Sequence, residues 1–168
     1  MRLDHLPAFH DDGLNVVVET PRGSRAKYTY DPESGLFVVG KLLPVGLAFP
    51  VNFGFVPSTI GGDGDPMDAV VVTDEALATG CLVQCRILGV IETRKTRKGR
   101  RVKDDRLIVL PAHEKGLAHL KSIDDLGGEI HEIEQFFVSY NRTHGKPFAI
   151  LGRGGPARAR ALLKAALM

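Results

Sequence analysis

Short extended segments separated by turn residues dominate the first two thirds of this chain, and that pattern narrows its possible folds most. Leu14 to Glu19 carries the triplet Val16-Val17-Val18 and reads as a strand. Lys27 to Tyr30 and Leu36 to Leu42 flank Asp31-Pro32-Glu33-Ser34-Gly35, a turn signal that predicts a hairpin. Ala48 to Val56 alternates aromatic and small residues. Ala69 to Thr73, Leu82 to Ile91 and Leu107 to Leu110 are β-branched and apolar, as buried strands are. With 19 glycines and 10 prolines in 168 residues to supply the turns, the series favours a small closed or nearly closed barrel. Two helices are expected later. Asp124 to Tyr140 sets Ile130, Ile133, Phe137 and Tyr140 on one face, with Asp124 or Asp125 as its cap. Pro156 opens the second, which runs through Lys164. The fold class is α+β and β-rich. No internal repeat or linker interrupts it, so residues 1–168 are expected to form one domain.

Composition excludes little. Hydrophobic residues make up 43% and charged residues 25%, and a formal net charge of +2 gives no bulk attraction to a particular partner. Met1 to His5 offers no apolar stretch of signal-peptide length, and no apolar run reaches the ~18 residues of a membrane span, so no membrane partner is expected. Cys81 and Cys85 lie four steps apart in one extended segment, roughly 13 Å between Cα atoms, too far for a disulfide. Free thiols point to a reducing compartment, the cytoplasm.

Chemistry enters at Asp63-Gly64-Asp65-Pro66-Met67-Asp68, directly before Ala69-Val70-Val71-Val72. Three carboxylates this close repel one another, and a divalent cation offsets that repulsion directly. Gly64 gives the backbone a conformation that a Cβ resists, and Pro66 fixes its own φ. The stretch reads as a stiff turn holding carboxylates at the mouth of a buried strand, although Asp, Gly and Pro also make ordinary solvated turns. Asp104-Asp105 repeats the arrangement before Arg106 and Leu107-Ile108-Val109-Leu110. If the two rims meet, four or five carboxylates converge. Glu19 ends one strand, and Lys27 starts the next after the basic turn Pro21-Arg22-Gly23-Ser24-Arg25, which can offer donors to an anion.

Taken in order from about Leu14 to Gly152, these motifs resemble the soluble, family I inorganic pyrophosphatases. The likeness extends to Ser34-Gly35-Leu36-Phe37-Val38, Pro50-Val51-Asn52-Phe53-Gly54-Phe55, Asp104-Asp105-Arg106-Leu107 and Gln135-Phe136-Phe137-Val138-Ser139-Tyr140. It implies a five-stranded OB-like β-barrel with two flanking helices, and hydrolysis of diphosphate to two phosphates by metal-activated water. By the same resemblance Asp63, Asp68 and Asp104 bind the tighter Mg²⁺, and Asp68 bridges to a second ion. Glu19 holds a further metal or its water shell. Asp65 assists deprotonation of the attacking water. Lys27, Lys41, Arg106 and Tyr140 contact phosphate. Two or more Mg²⁺ ions are implied, with Mn²⁺ or another divalent ion as substitutes, and so is a homo-oligomer, a hexamer in bacterial members.

Departures from the family pattern mark a divergent member. Lys41 replaces an arginine and loses its bidentate fork. Thr29 replaces a glutamate, Phe49 and Phe53 replace tyrosines, and Asn141 replaces a lysine. The loop before Asp104 lacks one more metal-binding aspartate, for which Asp105 is the only nearby substitute. That loop, residues 94–103, holds seven basic residues in ten. Three uses are open to it: a solvated hairpin tip, side chains that reach back to the substrate, or a basic arm for nucleic acid. The last lacks aromatic residues for base stacking, so no nucleic-acid partner is expected. The alternatives to diphosphate hydrolysis are a related hydrolase of a larger nucleotide polyphosphate and a non-catalytic OB-type module using this loop. Of the histidines, His113 is expected near the metal rim, and the other five show no ligand spacing.

Overall fold

The computed structural model describes residues 1–168. Its strands are β1 (Phe9–His10), β2 (Gly13–Thr20), β3 (Ala26–Asp31), β4 (Leu36–Leu42), β5 (Asn52–Phe55), β6 (Asp68–Val71), β7 (Leu82–Arg97), β8 (Arg100–Lys103), β9 (Arg106–Pro111) and β10 (Phe148–Gly154). Helix α1 covers Gly128–Thr143 and α2 covers Pro156–Ala166. Five of the strands close a ring. β2 pairs β5, β5 pairs β6, β6 pairs β9, β9 pairs β7, and β7 returns to β2. All these pairs are antiparallel except β6–β9, which is parallel. This is the five-stranded OB-like barrel the resemblance implies, with α1 and α2 outside it. The hairpin β3–β4 forms a separate two-stranded sheet.

Period-two burial explains the closed form. In β6 and β9, Val70, Ile108 and Leu110 join the core under α1, with Ile130, Ile133, Phe136 and Phe137. Their alternates Ala69, Val71, Leu107 and Val109 join a second core with Ala159 and Leu163 of α2. A strand buried on both faces reads as an unbroken apolar run, as these do. Closure also needs Gly54. A Cβ there lies 2.0 Å from the Val17 carbonyl oxygen across the β2–β5 pair, so no larger residue fits.

Several boundaries differ from the sequence reading. β7 runs to Arg97 rather than stopping at Ile91. Its basic half has low strand propensity but pairs on both edges, with β8 through Lys95↔Val102 and with β10 through Phe148↔Lys95. Lys98 and Gly99 both take positive φ, 50° and 74°, the two-residue turn that joins twisted antiparallel strands. The basic segment is therefore an ordered hairpin. β10, which the sequence did not signal, pairs along β7 with a bulge between Ile150 and Gly152. α1 begins at Gly128 instead of Asp124, because a 3₁₀ turn over Ile123–Leu126 precedes it. Asp125 caps that turn, accepting from the Lys121 and Ser122 backbone N–H groups at 2.7 and 3.0 Å. β5 starts at Asn52, four residues into the predicted Ala48–Val56 segment.

Candidate active site

The parallel β6–β9 pair positions the acidic residues. Its register sets Asp68 opposite Arg106, the first residues of the two strands. Loops that lead into parallel neighbours lie at the same end of a sheet. The Asp63–Pro66 turn and the Asp104–Asp105 step therefore meet, as a sequence cannot show. The turn itself forms as its composition predicts. Gly64 has φ 89°, Gly61 N–H donates to the Asp65 carbonyl at 2.7 Å, and Asp65 N–H donates to Asp63 Oδ1 at 3.1 Å.

A cavity of about 450 Å³ opens at this end, and all nine predicted site residues line it: Glu19, Lys27, Lys41, Asp63, Asp65, Asp68, Asp104, Arg106 and Tyr140. One wall is acidic. The carboxylates of Asp63 and Asp104 are 8% and 4% exposed, while that of Asp65 is 61% exposed at the rim. The opposite wall is basic. Lys27 and Lys41 face each other across the β3–β4 register, and their ammonium groups lie 5.6 and 5.3 Å from the Tyr140 ring. Like charges directly opposite on paired strands repel, so this wall favours an anion. The Tyr140 hydroxyl is buried without a hydrogen-bond partner, and burial pushes its pKa up to about 12. A buried donor left unsatisfied costs free energy that an incoming acceptor recovers.

Burial sets much of the electrostatics. Glu19 is pushed up to about 7, first by desolvation and also by the Asp65 charge. Its hydrogen bond from Tyr30 N–H, at 2.7 Å, and the nearby Lys27 pull the other way. Asp68 is raised by burial and then by Asp104, with the Arg106 charge opposing both. Asp63 is different. Desolvation would raise it, but the hydrogen bond and charge of Lys95 outweigh that and hold its pKa below the usual range. Lys41 is lowered to about 8 by burial, then by Lys146, Lys27 and Lys95.

The carboxylates already have cationic partners. Arg106 donates to Asp104 Oδ2 at 2.9 Å and to Thr93 Oγ1 at 3.0 Å, and its Nε lies 3.7 Å from Asp68 Oδ2. Its guanidinium also packs 4.5 Å from the Phe137 ring centroid. Lys95 Nζ donates to Asp63 Oδ2 at 2.6 Å and to Asp104 Oδ1 at 3.0 Å. Arg97 donates to Asp65 Oδ2 at 2.8 Å. With the side chains set this way, no group of three His, Cys, Asp or Glu residues stands ready around one ion. The donor chemistry nonetheless suits a divalent cation. All the carboxylate donors are hard oxygens, and an ammonium bridging Asp63 and Asp104 is itself a cation at that position.

Asp105 and His113 both lie outside the main cavity. Asp105 accepts from Thr93 N–H at 3.0 Å and pairs with Lys103 at 3.2 Å, and it lines an adjoining pocket with Asp63, Asp68 and Asp104. His113 lies in a separate pocket with His10 and Gln84, 3.4 Å from Gln84 Oε1, away from the carboxylates. The basic hairpin divides by strand alternation. Lys95 and Arg97, two steps apart, reach the acidic wall, whereas Lys103 pairs outward with Glu92 and Asp105. Lys95 and Lys146 are cavity residues that the sequence reading did not single out individually. The signal for Lys95 was its period-two spacing with Arg97. Lys146, in the turn after α1, carried none. Asn141 donates to the Phe137 carbonyl at 2.8 Å, back along its own helix.

The sequence profile of inorganic pyrophosphatases matches residues 16–168. The chain belongs to the inorganic pyrophosphatase family. It is 36% identical over 154 residues to an inorganic pyrophosphatase of Synechocystis sp., covering 90% of this chain and 89% of that one. Against an inorganic pyrophosphatase of Helicobacter pylori it is 40% identical over 144 residues, 83% of this chain and 81% of the relative. The fold superposes on the inorganic pyrophosphatase of Thermus thermophilus with a TM-score of 0.90 and 29% identity, covering 99% and 97% of the two chains. The Helicobacter pylori structure gives a TM-score of 0.86 at 35% identity, covering 96% of each chain. Members of the inorganic pyrophosphatase family depend on divalent metal ions.

Proposed function

We propose that this chain hydrolyses inorganic diphosphate to two phosphates with Mg²⁺ bound at the acidic wall. The observation that carries this is one cavity with carboxylates on one side and lysines with a neutral phenol on the other, in a chain of this family. Asp63, Asp68 and Asp104 would hold the tighter ion, with Asp68 shared by a second and Glu19 bearing on a further ion or its waters. Bound there, Mg²⁺ supplies charge neutralisation and lowers the pKa of the attacking water.

The chain's own groups do the rest. Asp65, the most accessible of the four aspartates, takes the proton from the water as its oxygen bonds to phosphorus and the bridging P–O bond breaks. Lys27 and Lys41 hold phosphate oxygens and offset the charge that builds on the leaving phosphate. Tyr140 donates its unpartnered O–H to the same group. Lys146, on the same wall, stands in for the lysine absent at Asn141. Arg106 orients Asp104 and Asp68, and its buried, unpartnered Nε adds positive charge behind the site that faces phosphate. Mn²⁺ is expected to substitute.

The direct test is phosphate release from diphosphate with purified protein, with and without millimolar Mg²⁺. Strong, metal-dependent release is expected, and none with any divalent ion would remove the reading. Lys41 gives a second test through pH. With its pKa near 8, the free ammonium is lost above that pH, and binding an anion must then recover the proton. KM for diphosphate is expected to rise above about pH 8, by up to about tenfold per pH unit. The Lys41→Arg variant, charged throughout, should shift that rise upward. Identical pH profiles for the two proteins would take Lys41 out of substrate binding.

The two free thiols, Cys85 buried, suit the cytoplasm, and no helix is long and apolar enough to cross a membrane. A homo-oligomer, a hexamer by family resemblance, is supported by exposed apolar side chains such as Val39, Leu42 and Val45. Sedimentation showing a lone chain at micromolar concentration would exclude it.

A further inference from the structure

We propose that Lys95 is a tethered competitor of the divalent cation: its ammonium sits between Asp63 and Asp104, and an ion gains those two carboxylates only by displacing it. The inference rests on the reading above that these aspartates bind the metal. Its basis is geometric. Lys95 Nζ lies 2.6 Å from Asp63 Oδ2 and 3.0 Å from Asp104 Oδ1, so one ammonium spans carboxylates from two different loops. Both carboxylates are nearly inaccessible to solvent, at 8% and 4% exposure. Burial strengthens such charge-assisted bonds, and nothing but another cation can take the ammonium's place without leaving two anions unpaired.

The lysine is also held from behind. It stands mid-strand in β7, paired with Val102 on one side and Phe148 on the other, so its stem starts from a fixed backbone. The local charges balance almost completely without a metal. The carboxylates Asp63, Asp65, Asp68 and Asp104 face the cations Lys95, Arg97 and Arg106. A divalent ion added beside the ammonium would meet its repulsion at contact distance. Ion binding and the Lys95 ion pairs therefore exclude one another. The displaced ammonium remains in the same cavity as Lys27 and Lys41, where it joins the basic wall that faces the anion.

The test is calorimetric titration of Mg²⁺ and Mn²⁺ into the wild-type protein and a Lys95→Met variant, which keeps the stem and loses the charge. The variant is expected to bind at least one ion tenfold more tightly, or to hold one more ion per chain. Adding Asp63→Asn to it should cancel that gain. Equal or weaker binding by Lys95→Met would overturn the competitor role alone, whereas no binding by either protein would overturn the metal site on which it rests. A measurement on the wild type needs no variant to fold. With lysine labelled at Cε, titration with Mg²⁺ should move the Lys95 NMR resonance toward that of a mobile lysine, and a resonance that stays in place at metal saturation would overturn the proposal.

Discussion

An Asp65→Asn variant is expected to lose about 10²- to 10⁴-fold in kcat for diphosphate while melting within a few degrees of the wild type. The two halves of this result have separate physical causes. Asp65 is 61% exposed, and its only cationic partner is Arg97, itself 40% exposed, at 2.8 Å. A surface pair of that kind contributes at most about 1 kcal/mol, so its loss barely touches stability. The amide keeps the shape of the side chain and its place in the turn, because the turn is closed by the Asp65 backbone and the Asp63 side chain. What it cannot do is accept a proton from water. Steady-state kinetics at saturating Mg²⁺, beside a thermal melt, reads both halves. A rate unchanged by the substitution would assign the proton to another group, with Glu19 the next candidate because its pKa near 7 suits a base.

Arg106→Met is expected to act in the opposite way, mainly through stability. The guanidinium is 7% exposed and Asp104 is 4% exposed, so the variant leaves a buried carboxylate short of one partner and Asp68 without its neighbouring charge. Removing one member of a buried pair costs about 3–5 kcal/mol. Lys95 still holds Asp104 Oδ1, which places the cost near the lower end, about 3 kcal/mol. In a protein of this size that is roughly a 6–12 °C fall in melting temperature. Arg106→Lys should recover part of it through charge, but not the bond to Thr93 or the stacking on Phe137. Unfolding in urea with both variants separates the two contributions. Equal stability of all three proteins would mean the ion pair at β9 carries no net weight.

Much of the fold was legible because the barrel strands are apolar enough to announce themselves. Val16 to Val18, Ala69 to Val71 and Leu107 to Leu110 have no other stable use than burial on two faces. The distal half of β7 and the whole of β10 were not legible for the converse reason. Lys, Arg and Thr in the first, and a Gly-rich stretch in the second, form strands because they pair with each other, and β8 adds the other edge of β7. Local propensity says nothing about an edge supplied from 50 residues away.

The candidate site divides along the same line. The stiff turn at Gly64 and Pro66, the carboxylates at strand mouths and the Lys27–Lys41 hairpin all follow from short-range chemistry that the sequence alone determined. That Asp68 and Asp104 belong to one wall was decided by the parallel pairing of β6 with β9, a contact between segments joined through two other strands. The same tertiary arrangement left Asp105 in the adjoining pocket and put Lys95 between two aspartates, because alternation along a paired strand assigns each side chain to a face only once the register exists.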